Sequence, residues 1–474
     1  TPGSPVAAKL KQPNVLLVTT GQQPGLFTGP LYTIHKALSA RAVAAQLERR
    51  WHRPVVPVFW LAGDDHDHAE AAVTHWLAAD GTLATGALPP RAAADPQRPL
   101  AREPLPGEID ELVARLAADL PDGPARDQVT GWLRRHYRVG ATIAAAFGGA
   151  LQEVLGPLGV VCFDPTHLAA KRAARATVER ALGAAADLDR RLVERMAALT
   201  AEGRAPDVRV GDGASLVFLD GVIGRDRLVS APGGFRTRRG GERVPAAEMA
   251  ALLESAPERF SPNVLLRPVV EAALLPTVAY VAGPGELRYL RLAEALYEPL
   301  GVEPQRPMPR WSGVVVEPRV TRTLEKFHTD VEQLAADPGA VEDRLLRRVA
   351  PADFDPAFQA IRAELSQGFE RIVGVARTID PTLEKPTTSN KGAALALVAE
   401  LEKRLLAAQK RRQAELVAQL DRARAAIVPA GKPQERVLGL PVFWGRYGAD
   451  FVGELSGHIE AWYRAALEGR PATP

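Results

Sequence analysis

The chain of 474 residues holds one cysteine, Cys162. A single thiol excludes an intramolecular disulfide and any multi-cysteine zinc site, in keeping with a reducing cytosol. Long apolar runs are missing as well. The strongest, Val55 to Ala62, falls far short of the roughly 18 to 20 residues a membrane helix needs, so a soluble, cytoplasmic protein is expected. A charge excess of either sign is absent too: 59 Lys plus Arg face 56 Asp plus Glu, a net +3. That balance argues against a nucleic-acid coat. Nothing in the opening residues resembles a secretory signal. At 46 % hydrophobic residues the chain can bury several cores, so disorder is excluded as its main state.

What is present reads first as an α/β pattern. Asn14 to Thr20 is an apolar strand stopped by Gly21, a helix opens near Pro30 and runs to Arg49-Arg50, and Pro54 to Ala62 is a second strand. Strand, glycine loop, helix and strand make a βαβ unit, with a parallel sheet whose ligands bind at the strands' carboxyl ends. Leu158 to Phe163, Asn263 to Val270 and Thr277 to Val281 read as further core strands. A helical stretch is expected from Leu168 to about Leu199, and a small antiparallel insertion over 208–242. Further on, Phe358, Ile361, Leu365, Ile372, Val375 and Ile379 make a heptad seam. A second helix, Lys391 to about Ile427, carries Val398, Leu401, Leu405, Leu416, Leu420, Ala423 and Ile427. Together they predict an antiparallel helical hairpin whose exposed stripes invite a second copy.

Three clusters can carry chemistry. The first, Thr20 to Lys36, spaces Gly21, Gly25 and Gly29 four apart between a strand and a helix. Such a loop allows backbone amides to approach a phosphate, with Lys36 two turns into the helix and Gln22 or Gln23 for a ribose or purine edge, or it is a ligand-free turn. It is neither a Walker loop nor a Gly-x-Gly-x-x-Gly fingerprint. The second, Asp64-Asp65-His66-Asp67-His68, crowds carboxylates and imidazoles that repel unless they meet a cation, an amine or a metal. A helix cap is one reading. Amine recognition by an aspartate, with His66 as general base, is preferred, and no metal ligand set is assigned. The third joins Arg267 with Gly283-Pro-Gly285-Glu286 and Tyr289. Arg267, read in a strand, needs a buried carboxylate or an anionic ligand, while Glu286 can cap a helix. Cys162 reads as a core residue.

Taken in order, Gly21-Gln-Gln-Pro-Gly-Leu-Phe-Thr-Gly-Pro-Leu-Tyr-Thr-Ile-His-Lys36, Pro54 to Asp67, Ser261-Pro-Asn-Val-Leu-Leu-Arg-Pro268, Leu275 to Glu286 and Pro433-Gln-Glu-Arg-Val437 resemble the BshC family, named as cysteine ligases of bacillithiol biosynthesis. The resemblance covers nearly the whole chain. It implies an α/β, Rossmann-like parallel-sheet core related to class I nucleotidyl transferases, with inserted segments at about 83–150 and 205–258. It further implies a dimerising α-helical coiled-coil domain. The expected division is 1–315 for the core, 316–430 for the coiled coil and 431–474 for a segment returning to the core.

The implied reaction adds cysteine to the sugar amine of glucosaminyl malate, with ATP and magnesium for carboxylate activation and no tightly bound metal. By the same resemblance Gly21, Gln22, Gln23, Gly25, Gly29, Tyr32, Gly283 and Gly285 would hold the nucleotide. Arg267, Glu286 and Tyr289 would hold substrate, and Lys36, Asp64, Asp65, His66 and Asp67 would do the chemistry. Small-molecule substrates and a homodimer are the partners implied; nucleic acid and membrane are not. A non-autonomous nucleotide-binding subunit, or a nucleotidyl transferase acting on another amine, are the alternatives. Where the family is expected to read Arg-Pro-x-x-Gln-Asp this chain has Glu271 and Ala272, and the His-x-Gly-His and Lys-Met-Ser-Lys-Ser signatures are missing.

Overall fold

The computed structural model describes residues 5–469. The chain divides into two compact units, one built from the residues up to Asp80, Ala84–Gly313 and the segment from Glu435 onward, the other from Gly81–Leu83 and Val314–Gln434.

In the first unit the elements that matter run β1 (Leu16–Gln22), α1 (Tyr32–Trp51), β2 (Val55–Leu61), β3 (Val161–Phe163), α2 (Leu168–Gly183) and α3 (Ala185–Ala201). There follow β4 (Ala214–Gly221), β5 (Gly224–Ala231), β6 (Gly234–Thr237), β7 (Arg243–Pro245), β8 (Phe260–Pro262), α4 (Arg267–Leu274), β9 (Thr277–Ala282), α5 (Pro284–Ala293) and β10 (Arg306–Pro309). The first sheet has the order β10-β9-β1-β2-β3, every pair parallel. Counted along the sheet's own strands this is 3-2-1-4-5, the Rossmann order, with its switch point between β1 and β9. Parallel strands covered on both faces must be apolar throughout, and all seven residues of β2 are buried. Pro57 lies one residue before the pairing with β3 begins at Val58, so the N–H it lacks breaks no rung there. Gly21 is required where β1 meets β2: a Cβ there would lie 2.8 Å from the Trp60 carbonyl oxygen.

The residues between β2 and β3 include the helices Glu108–Asp119, Pro124–His136 and Ile143–Leu155. The expected antiparallel insertion is a five-stranded sheet of order β8-β4-β5-β6-β7. It shares an apolar core with α2, α3 and α4, including Leu188, Leu192, Val217, Leu219, Leu266 and Val269. The helix Phe451–Leu467 packs on α1, with Glu460 receiving Arg41 and Arg49 and the Tyr463 hydroxyl donating to Pro309 O at 2.6 Å.

Two readings of this unit need correction. Asn263 to Val270 is not a strand. The Asn263 side-chain oxygen accepts from the N–H groups of Leu265 and Leu266 at 3.1 and 2.9 Å, and Pro268 in the first turn starts α4. Arg267 therefore opens a helix. The stretch 168–199 is likewise two helices, interrupted at Ala184.

In the second unit α6 (Phe354–Ile379) and α7 (Glu384–Arg412) pack as a hairpin, followed by α8 (Ala414–Ile427). The second long helix starts earlier than expected, because Asp380 accepts from Thr382 N–H and Pro381 opens a turn leading straight into Glu384. It breaks at Gln413, within the irregular step between Leu405 and Leu416. The seam also differs. Phe358 and Ala376 are buried on α6, while Ile361, Ile372, Val375 and Ile379 are exposed; on α7, Glu402 and Leu406 face in and Leu397, Leu401 and Leu405 face out. Glu402 turns inward because Arg347 and Arg362 both pair with it.

Candidate active site

At the carboxyl ends of β1, β2 and β9 the first unit holds a cleft of about 570 Å³. Gly21, Gln22 and Gln23 enter it from β1, Asp64 and Asp65 from the loop after β2, and Gly283, Gly285 and Glu286 from the start of α5. Tyr32 and Lys36 reach it from α1, Arg267 and Tyr289 from α4 and α5, and Phe218, Arg225 and Arg227 from the inserted sheet. Most residues expected from sequence thus share one cavity at the switch point.

Gly25 and Gly29 do not line it. Their loop is a buried structural turn: the Tyr137 hydroxyl donates to Gly25 O at 3.0 Å and accepts from Thr28 N–H at 2.7 Å. Gly29 N–H donates to Leu26 O. Phe27, Thr28 and Gly29 all have positive φ, a costly conformation for the first two that a well-packed surround can hold. At the start of α1, Leu31 N–H donates to Leu438 O, so the C-terminal segment occupies that position. Gly25 and Gly29 thus sit in an internal brace away from the cleft, while Gly21, Gln22 and Gln23 of the same stretch line it.

Lys36 is buried, and its ammonium meets Glu286 at 2.7 Å, the Gln22 amide oxygen at 3.3 Å and the carbonyl of Gly21. Burial pulls its pKa down and Glu286 opposes this. Three acceptors around one nitrogen need three N–H donors, so the charged form is the one that fits. Burial pushes Glu286 toward protonation, but Lys36, the Gly283 N–H at 2.7 Å and Arg267 overcome it and hold the carboxyl below its ordinary range. Tyr280 adds a further bond to Glu286 at 2.8 Å. Lys36 thus enters the cleft already paired, not as a free phosphate ligand.

Arg267 satisfies the first of its two expectations. It meets the buried Glu271 at 2.7 Å and lies over the Tyr280 ring at 5.0 Å. The Thr19 hydroxyl bonds Glu271 as well, so the departure at position 271 sits within a satisfied network. Tyr289 lies at 3.5 Å from Arg267, and burial pushes its phenol up to about 12. Tyr32 is also raised to about 12, by burial and then Glu70, and its hydroxyl accepts from Gln22 at 3.2 Å.

The acidic cluster separates into distinct tasks. Asp64 is paired with Lys171 of α2 at 2.6 Å, which removes it as a free ammonium site. Asp65 lines the cleft; one oxygen accepts from His66 N–H at 2.7 Å and Asp67 N–H at 3.1 Å. Asp67 caps the short helix His68–Ala71 through Glu70 N–H. His66 Nδ1 lies 3.1 Å from Arg225. A guanidinium can only donate, so Nδ1 must accept and the neutral ring carries its proton on Nε2. Burial, followed by Arg225, lowers the His66 pKa. In this arrangement the basic nitrogen expected to act as general base is engaged by Arg225. His66 and Asp67 stand beside the cleft rather than in its lining.

Sequence reading missed Lys171, Arg225, Arg310 and Glu435. Lys171 falls on the stripe Lys171, Ala174, Val178, Leu182 of α2, where a cation on an apolar face was a readable signal. Arg225 lies in a run of alternating charges that reads equally well as solvated. Glu435 takes both Arg310 and His35, the latter at 2.7 Å. Burial works to raise its carboxyl; the bonds from His35 and Arg310 prevail and hold it at about 2. The neighbouring Arg436 lines the cleft.

The model for the N-terminal Rossmann-like domain of bacillithiol biosynthesis BshC matches residues 6–311, and that for its C-terminal coiled-coil domain matches residues 313–462. The chain belongs to the BshC family. A relative from Koribacter versatilis (strain Ellin345), named "Putative cysteine ligase BshC", is 32% identical over 92% of this chain and 81% of its own length. A Salinibacter ruber (strain DSM 13855 / M31) relative of the same name is 30% identical over 94% and 81%. The BshC coiled-coil match extends past Gln434 into the segment that folds with the first unit. A solved Mycobacterium tuberculosis methionyl-tRNA synthetase superposes with a TM-score of 0.26 at 12% identity, covering 94% of each chain, too distant to inform the BshC site. Among the described residues no three His, Cys, Asp or Glu side chains converge as a metal site, and no helix is long and apolar enough to cross a membrane.

Proposed function

We propose that the protein is a ligase that joins the carboxyl group of cysteine to the sugar amine of glucosaminyl malate, the carboxylate being activated by ATP. Family membership and the relatives' names support the reaction class. The observation that carries the reading is the cleft at the switch point, where ligands of such sheets bind and where acidic, basic and aromatic groups face one space. An activated carbonyl needs an amine held against it, and holding both partners is what such a cleft contributes.

Asp65 is the residue for the cysteine ammonium, since Asp64 is spent on Lys171. Gln22, Gln23, Tyr32, Gly283 and Gly285 line the space for the nucleotide. The Lys36–Glu286 pair braces β1 against α5 and keeps that space shaped. The phosphates themselves would bring any magnesium ion. The cysteine carboxylate attacks a phosphorus of ATP and displaces pyrophosphate or ADP; the amine nitrogen then attacks the activated carbonyl, AMP or phosphate leaves with one carboxyl oxygen, and the proton passes to solvent.

Purified protein given ATP, cysteine and glucosaminyl malate is expected to form bacillithiol, with AMP or ADP in equal amount, by mass spectrometry. Folded protein that binds the substrates without turnover would overturn the reading. Asp65→Asn is expected to lower the rate about 100-fold while leaving the melting temperature in place.

A further inference from the structure

The first unit buries four basic side chains in or beside the cleft: Lys36, Lys171, Arg225 and Arg310. Three of them have a carboxylate in hydrogen-bond contact, Lys36 with Glu286 at 2.7 Å, Lys171 with Asp64 at 2.6 Å and Arg310 with Glu435. Arg225 has none: among the described residues no carboxylate oxygen lies within the 4.0 Å of an ion pair. Its partners are neutral. Nε donates to Ser261 Oγ at 2.9 Å, one terminal nitrogen to Pro262 O at 2.9 Å, and the other to His66 Nδ1 at 3.1 Å. The guanidinium carbon stands 3.8 Å from the centre of the Phe218 ring.

Three of its five N–H groups are used, and the side chain lines the cleft. Arginine cannot shed its proton to escape burial, and buried charges without a counter-charge are costly. A cation fixed on several sides by groups that orient it but do not neutralise it is arranged for a charge that arrives from outside.

We propose that Arg225 is the anion-binding residue of the cleft, taking a carboxylate or phosphate oxygen of a substrate through its two remaining N–H groups. The proposal rests on the functional reading above for the identity of the substrates, but not for the existence of the site. It moves anion recognition from Arg267, already neutralised by Glu271, to a residue of the inserted sheet. It also gives His66 a part: as a neutral acceptor it positions Arg225 and is a positioning residue. Asp64, Asp65 and Asp220 add negative field at longer range.

The test is binding by calorimetry to the full chain, with no turnover required. The probes are glucosaminyl malate, ATP and inorganic pyrophosphate, each titrated into wild type, Arg225→Met and Arg225→Lys. Loss of a buried charge partner predicts a Kd raised about thirtyfold or more in Arg225→Met for one probe class. Arg225→Lys, which keeps the charge without the fork, is expected to lie between. Weakened glucosaminyl malate with unchanged ATP assigns the anion to the malate carboxylates; weakened ATP and pyrophosphate assign it to phosphate. Ligand-induced rise in melting temperature should fall in parallel, a readout that a purely structural arginine would not move. Equal affinities in all three folded proteins, or no saturable binding of any probe to wild type, would overturn the proposal. Failure of bacillithiol synthesis with Arg225-dependent binding intact would instead count against the reaction alone.

Discussion

At the scale of the residue, buried charges in pairs hold the site together, and removing one partner leaves the other exposed to the cost of burial. Lys36→Met is expected to lose about 3 kcal/mol in urea unfolding, and Lys36→Met with Glu286→Leu should recover part of it. The His35–Glu435 contact predicts acid sensitivity. Burial lowers the His35 pKa below 6.5, so stability begins to fall as pH drops through 6.5. Glu435 is held at about 2 against an ordinary 4.5, so its contribution, on the order of 3 kcal/mol, is lost between 4.5 and 2. In both cases the unfolded chain binds protons that the folded chain refuses. Glu435→Gln should flatten the lower part of the profile measured by unfolding at stepped pH. Burial pushes the Cys162 thiol up to about 12, so it should react slowly with a thiol reagent at pH 8, and Cys162→Ala should keep its turnover. The chemistry of individual side chains was legible where residue type alone forced a partner, as at Arg267. It was hidden where the partner is distant in sequence: nothing near Asp64 announces Lys171, and nothing near His66 announces Arg225.

At the scale of the element, local signals settled most boundaries and lost where two of them competed. Apolar Val264 to Leu266 suggested a strand, yet the Asn263 side chain caps two amides and Pro268 opens the helix. Asn263→Ala should cost about 1 to 2 kcal/mol and be visible as a lowered unfolding midpoint. On the hairpin, heptad spacing identified the helices but not which of two apolar faces turns inward. The ion pairs of Glu402 decide that, and they come from other segments. The outward face, with Ile372 54%, Val375 59% and Ile379 74% exposed, is proposed as the surface for a second copy of the chain. Ile372→Glu with Val375→Glu is expected to convert a dimer to a monomer in light scattering without loss of helix signal. An unchanged mass would exclude this face.

At the scale of the whole molecule, the parallel sheet was legible because each central strand is an apolar run stopped by glycine or acidic residues, and the order 3-2-1-4-5 then puts those stops together. What the sequence could not show is that an inserted sheet supplies one wall of the cleft and that α1 is the element the returning C-terminal segment braces. Both depend on long-range contacts with no local signature. In the proposed reaction this cleft activates a carboxylate with ATP. Cysteine labelled with ¹⁸O in its carboxyl group tests that most directly, by mass spectrometry of the products after one round of ligation with glucosaminyl malate. One labelled oxygen should appear in AMP or in phosphate for each amide formed; amide formed with no label transferred, or no amide at all from folded protein, would contradict it.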